Sequence, residues 1–411
     1  MWGLILFFII ISLFEWYVFK GVRLLSQNLD STVYQQIIYW TYWVVTIALL
    51  VAVVMAILNG RGNRDFRSNK FVMYLIGVFI MIFIPKLIFF LFHVIDDVVH
   101  LIRGLFSPSI ANLPGERMTR WRFITQTGLA VASIPFVSII YGILKGRYDY
   151  TAERISISFP NLPSSFDGYK IVQFSDLHIG SFMQDYESVK KGIDLINSLE
   201  PDIIVFTGDF VNNFADETDG WENTLGQLKA KYGKYSILGN HDYGDYSNWP
   251  SLEEKQKSLQ RLIRFQEKMG LKVLLNEHVK LSLGGEFISL IGIENWSKNF
   301  KQYGDLKQAM SGIENNSFKL LLSHDPSHWD AEVLQRTDID LSLAGHTHGM
   351  QFGVNLGGFK YSPVQHVYPR WSGLYSEGNQ HLYVNRGFGF VGFPGRVGMS
   401  PEITLIELKK A

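Results

Sequence analysis

Apolar and polar positions divide the chain into two textures. Trp2 to Phe19 is almost wholly apolar, with Glu15 its one charge, and Ile37 to Leu58 carries no charge over a length able to span a bilayer. Phe71 to Phe92 repeats the pattern, interrupted by Pro85 and Lys86, and runs into the more polar His93 to Phe106. Phe123 to Ile143 is apolar but rich in small and hydroxyl residues. These runs predict about four transmembrane helices in a multi-pass membrane region covering residues 1–150. Glu15 and Lys86 fall near helix ends, so they are expected to face other helices or the interface. With four spans, Arg61, Arg64, Arg67 and Lys70 share a side with the C-terminal domain. Basic residues on the opposite side nearly balance them, so the charges assign no orientation.

From about Ala152 short apolar runs alternate with amphipathic segments, the pattern of strands and helices in a layered domain. Strands are predicted at 154–159, 169–174, 202–207, 234–238, 271–275, 279–283, 286–293, 318–322, 340–344, 381–385 and 402–408. Helical periodicity covers 186–199 and 252–269. Gly284-Gly285 between two runs reads as a hairpin turn. The mixture predicts stacked β-sheets flanked by helices over residues 151–411, an α/β or α+β fold.

Composition narrows the chemistry. Of 411 residues, 38 are acidic and 38 basic, so no global field favours a polyanion and no nucleic-acid partner is expected. Hydrophobic residues make up 47% and charged ones 18%, an apolar excess that sits in the first third. The complete absence of cysteine excludes disulfides, zinc–thiolate sites, iron–sulfur clusters and thiol nucleophiles.

Ligand-type residues then fall in a pattern. Asp176-Leu-His178 follows the run KIVQF, Gly208-Asp209 follows IIVFT, and Gly239-Asn240-His241-Asp242 follows YSIL. Ser323-His324-Asp325 follows KLLL, and Gly345-His346-Thr-His348-Gly349 follows LSLA. Singly, such pieces are turns or caps. Five successive strand ends that each deliver a carboxylate, amide or imidazole point to a metal site, because open sheets place their sites there. His346 and His348, one residue apart, could grip one ion twice or serve two ions side by side. An oxygen and nitrogen donor set suits Mn²⁺, iron or Zn²⁺.

The ordered series DLH, GD, GNHD, SHDP and GHTHG resembles the calcineurin-like metallophosphoesterase superfamily over roughly Tyr169 to Leu408. It is most similar to the membrane-anchored bacterial branch. The resemblance implies an α/β domain of two stacked mixed sheets and a binuclear metal centre. The first ion would be held by Asp176, His178, Asp209 and His348, the second by Asp209, Asn240, His324 and His346, with Asp209 bridging. It further implies hydrolysis of a phosphoester by a metal-bridging hydroxide, with His241 assisting the leaving group. Asn212 stands where many relatives carry an aspartate that orients this histidine. Asn213 stands where protein phosphatases carry an arginine, which argues against a phosphoprotein substrate. Met350 replaces a second glycine usual after Gly349.

Gly387-Phe-Gly389-Phe-Val-Gly392 satisfies GxGxxG, but Pro394 and Gly395 follow where a dinucleotide site needs a helix. A glycine-rich loop beside the metals, with Arg386 and Arg396 as anion contacts to substrate, is expected instead. The membrane region favours a lipid-linked or envelope substrate, and a likeness to UDP-2,3-diacylglucosamine pyrophosphatases makes that lipid A precursor a specific candidate. The alternatives are a general cell-envelope phosphodiesterase or phosphatase and a non-catalytic membrane receptor.

Overall fold

A computed structural model describes residues 2–27, 29–60, 70–106, 116–315, 317–356 and 358–411. Arg61, Arg64 and Arg67 lie outside the described residues. The chain divides into two compact units: Met1–Gly62 with Tyr74–Tyr141, and Asn63–Met73 with Gly142–Ala411.

The N-terminal third is helical: α1 (Trp2–Ser26), α2 (Thr32–Gly60), α3 (Lys70–Phe106) and α4 (Glu116–Leu144). Among the described residues, three stretches are long and apolar enough to cross a membrane: Thr32–Ala56, Phe71–Ile102 and Phe123–Leu144. Within this unit Glu15 and Lys86 face each other. Lys86 Nζ donates to Glu15 Oε2 and to Thr46 Oγ1, each at 2.8 Å, and Tyr42 Oη donates to the same carboxylate. Both residues lie well inside their helices and not near the ends as expected, and pairing explains how two charges are tolerated there, because each supplies the other's missing solvation.

The C-terminal unit is built on two six-stranded sheets. The first has the order β1 (Thr151–Phe159), β14 (Glu402–Lys410), β2 (Lys170–Phe174), β3 (Ile203–Phe206), β4 (Gly233–Ser236), β5 (Leu271–Val273). The second runs β12 (Gly373–Glu377), β13 (Gln380–Val384), β9 (Leu341–Ala344), β8 (Lys319–Leu322), β7 (Glu286–Gly292), β6 (Glu277–Leu283). Both sheets are mixed: β2, β3, β4 and β5 are parallel neighbours while β14 runs antiparallel to β2, and β7, β8 and β9 are parallel while β6 is antiparallel to β7. All eleven predicted strands form. The Gly284-Gly285 turn joins β6 to β7 with Leu283 opposite Glu286 and φ of 60° and 86°, as a two-residue turn of the right twist requires.

Burial explains why the central strands read as continuous apolar runs. Side chains from the two sheets, including Ile171, Ile203, Val205, Leu320, Leu341 and Leu343, fill one core between them. Val172, Phe174, Ile204 and Phe206 point to the opposite face of the first sheet and meet Val189, Ile193 and Ile196 of α5 (Tyr186–Ser198). Three strands escape the sequence pattern. They are β12 and the ribbon of β10 (Val354–Leu356) and β11 (Phe359–Tyr361), all of them short and largely exposed, so no alternation of buried and solvent positions marks them.

A buried cluster of imidazoles and carboxylates at the sheet ends

The parallel strands of both sheets end at the same place. β2 is followed by Asp176 and His178, β3 by Asp209, β4 by Asn240 and His241, β8 by His324, and β9 by His346 and His348. The chain turns sharply at these ends. Asp176, His178, Asp209, His346 and His348 have φ of 51°, 46°, 61°, 73° and 51°, a left-handed conformation that costs a non-glycine residue about 1–3 kcal/mol. Glycines let the turns approach one another. A Cβ on Gly345 would lie 2.0 Å from Ser175 Oγ and 2.4 Å from Asp176 Oδ2, so only glycine brings the His346 loop onto Asp176.

Two sets of donors converge. In one, His178 Nδ1 donates to Asn212 Oδ1 at 3.1 Å, which leaves Nε2 as a lone pair. That nitrogen stands 3.1 Å from His348 Nε2 and 3.6 Å from Asp209 Oδ2, and His348 Nε2 lies 3.3 Å from Asp176 Oδ1. In the other, His324 Nδ1 donates to the Thr207 carbonyl at 2.7 Å. Its Nε2 then faces Asp209 Oδ2 at 3.2 Å, Asn240 Oδ1 at 3.1 Å and His346 Nδ1 at 3.2 Å. Asp209 reaches both sets through one carboxylate.

This donor set fits metal ions. Acceptor atoms point at one another in a region where Asp176, Asp209, His178 and His324 are at most 1% exposed, and unpaired buried acceptors are costly unless a proton or cation joins them. Ligand-capable atoms of Asp176, His178 and His348, and of Asp209, His324 and His346, each lie within 4.8 Å of one another. His241, with His178 and Asp209, forms a third such group.

The protein's own charges show what the cluster lacks. Burial pushes Asp176 up to about 6 and His178 down to about 3. Burial also opposes charge on His324, but Asp209 and Asp176 outweigh it and hold His324 up at about 10. A proton on His324 Nε2 thus takes the place that a cation would fill.

Each ligand candidate is held from behind. Asn240 Nδ2 donates to Tyr246 Oη at 2.8 Å, which turns its Oδ1 inward. His346 Nε2 donates to Tyr368 Oη at 2.8 Å and stands 3.5 Å from Asp325 Oδ2. Asp242 accepts from the backbone N–H groups of Asp209, Phe210, Val211 and Gly239 at 2.7–3.2 Å, clamping the β3 and β4 turns together. Asp242 and Asp325 stand in the GNHD and SHD motifs, which by themselves assign these two carboxylates no role. Nothing in the sequence marks Tyr246 or Tyr368.

His241 projects over the cluster, its ring 4.8 Å from that of His178. Its Nδ1 donates to the main-chain carbonyl of Asn212 at 2.7 Å. The Asn212 amide therefore orients His178, not His241, which corrects the role expected from sequence.

Arg386 and Arg396 are also corrected. Arg386 is buried in ion pairs with Glu402 and Glu153. Arg396 donates to the carbonyls of Gly389 and Arg386 at 2.8 Å and of Gly387 at 3.1 Å, and its Nη2 also donates to His348 Nδ1 at 3.3 Å. With 2% and 1% exposure, neither offers a face to a substrate anion. They instead lock the glycine-rich loop, whose Phe388 and Gly389 N–H groups donate to Ser175 and Asp176 carbonyls at 2.7 and 2.9 Å.

Residues 1–147 match the model for a probable calcineurin-like phosphoesterase transmembrane domain, and residues 169–350 match that for calcineurin-like phosphoesterases. The chain is 36% identical over 258 residues to the uncharacterized metallophosphoesterase YkuE of Bacillus subtilis, covering 60% of this chain and 82% of that protein. It is 30% identical over 297 residues to a transmembrane protein with metallophosphoesterase domain from Danio rerio, covering 70% of this chain but only 63% of that protein's length. It is 26% identical to the phosphodiesterase YaeI of Escherichia coli, covering 71% of this chain and 99% of that protein.

Proposed function

The chain belongs to the calcineurin-like metallophosphoesterase family, a membrane-associated, metal-dependent phosphoesterase, and on that premise we propose that it hydrolyses a phosphodiester or pyrophosphate bond at a binuclear centre. One ion is assigned to Asp176, His178, Asp209 and His348, and the other to Asp209, Asn240, His324 and His346. The observation that carries the reading is the single Asp209 carboxylate shared by the two donor sets. Bound ions would lower the pKa of a water between them and take up charge on the phosphoryl oxygens.

The chain's own groups do the rest. Asn212 and Thr207 fix the tautomers of His178 and His324, so each presents a lone pair inward. His241 has its Nδ1 hydrogen committed to a carbonyl, so Nε2 is the atom that meets substrate. Protonated, it would deliver its proton to the leaving oxygen, a general-acid contribution of about 10²–10⁴-fold. A lipid-linked or envelope substrate, such as UDP-2,3-diacylglucosamine, is favoured by the membrane span joined directly to the domain. The second reading, a general envelope phosphodiesterase, draws on the likeness to a relative named phosphodiesterase.

Purified full-length protein with Mn²⁺ should be assayed on UDP-2,3-diacylglucosamine and on chromogenic phosphodiesters and monoesters. Preference for the lipid nucleotide supports the first reading and preference for simple diesters the second. No turnover of any of them sinks both.

A further inference from the structure

The ribbon β10–β11 presents side chains that the metal cluster does not use. Its register pairs Val354 with Tyr361, Asn355 with Lys360 and Leu356 with Phe359. Side chains alternate along a strand, and paired residues share a face. Val354, Leu356, Phe359 and Tyr361 therefore stand on one face, and Asn355 and Lys360 on the other. A ribbon laid on a core would bury the apolar face. Here Leu356 is 72% and Phe359 63% exposed, and Val354 and Tyr361 are exposed as well. A contiguous apolar face in water marks an interaction surface.

The foot of the ribbon is tied by main-chain hydrogen bonds to Gly142, which belongs to the same compact unit. Gly353 N–H donates to Val397 O at 2.9 Å, Val397 N–H donates to Gln351 O at 2.7 Å, and Arg396 N–H donates to Gly142 O at 3.1 Å. Gln351 Nε2 adds bonds to the carbonyls of Phe393 and Gly395 at 2.9 and 2.8 Å. Gly142 is among the last residues of the span Phe123–Leu144. The contacts are backbone on backbone, since a Cβ on Gly142 would stand 2.6 Å from Arg396 O and one on Gly353 would stand 2.4 Å from Tyr361 O. The Arg396–Val397 main chain thus bridges the ribbon's foot and Gly142, in the last turn of α4.

We propose that the β10–β11 ribbon seats its apolar face in the interfacial layer of the phospholipid bilayer that the span crosses. Aromatic rings on one face and a lysine on the other suit that layer, where rings lie at headgroup level and a lysine stem carries its charge to phosphate. The ribbon is also continuous with the metal cluster. Ser362, next after β11, donates to Gly349 O at 2.8 Å, and Gly349 follows His348. Seating the ribbon holds the His346–His348 loop near the membrane surface. This inference rests on the span and not on the hydrolytic reading.

The absence of cysteine provides the test. Leu356→Cys, Phe359→Cys and, as a solvent control, Leu252→Cys (78% exposed) are spin-labelled in the full chain. Each is reconstituted into phosphatidylcholine–phosphatidylglycerol nanodiscs at one chain per disc. Labels at 356 and 359 should be several-fold more accessible to oxygen than to a nickel chelate, with the order reversed at 252. Labels at 356 and 359 that match 252 overturn the proposal. So does an oxygen preference that appears only in discs holding two chains, since the occupant would then be a second copy.

Discussion

His324 Nε2 stands 3.2 Å from Asp209 Oδ2 while its Nδ1 is committed to the Thr207 carbonyl, so the position between imidazole and carboxylate holds either a proton or a metal ion. The strength with which the protein holds that proton sets how the site must load.

With His324 held up at about 10, the metal-free site carries its proton at neutral pH and must release it to bind an ion. Apparent metal affinity should therefore rise with pH, by about tenfold per unit, up to about 10. Below about 6 the dependence should steepen, because Asp176 then also takes a proton. His178, pushed down to about 3 by burial, should not compete. Calorimetric titration with Mn²⁺ in buffers of different ionisation enthalpy reads the protons released; a pH-independent affinity between 7 and 9 would contradict this account of His324.

Asn212→Ala removes the acceptor behind His178 Nδ1 but leaves the main-chain carbonyl that receives His241. Metal affinity should weaken by about 10–100-fold, the usual effect of losing such a partner. At saturating metal kcat should stay within a few-fold of wild type. A large fall in kcat with unchanged metal affinity would restore the role read from sequence, orientation of His241.

His241→Ala should leave metal content unchanged and cost about 10²–10⁴-fold in kcat on substrates with alkoxide leaving groups. Its cost should be much smaller for p-nitrophenolate, which needs no proton. Because His241 also lies within reach of His178 and Asp209, loss of an ion in this variant would show it to be a ligand.

Arg386→Met leaves Glu402 buried at 1% exposure without its guanidinium. Breaking such a pair typically costs about 3–5 kcal/mol, so thermal unfolding should drop well below that of wild type. KM should not change in whatever protein remains folded. A rise in KM with unchanged stability would return Arg386 to the substrate.

The two-sheet fold and the donor set were legible for one reason: buried parallel strands read as apolar runs, and the ligands sit immediately past their ends. Asp176 after KIVQF and His324 after KLLL need no tertiary information to be found. What lay out of reach depended on contacts between distant segments. Arg386 reads as a free cation beside a glycine-rich loop until Glu153 and Glu402 arrive from β1 and β14. The Asn212 amide turns to His178 because that ring's Nδ1 lies 3.1 Å away, a distance no spacing encodes. Tyr246 and Tyr368 orient Asn240 and His346 from loops that carry no motif, and β10–β11 was missed because exposure removes the alternation that marks a strand.

Metal stoichiometry of wild type and Asp209→Asn, measured by plasma mass spectrometry alongside phosphodiester turnover, tests the shared carboxylate most directly. The wild type should hold two ions per chain. The Asp209→Asn variant, folded by circular dichroism, should hold fewer than one and lose at least about 10²-fold in turnover, a floor set by the 10–100-fold cost of merely outer partners. Unchanged metal content and activity in that variant would contradict the binuclear account.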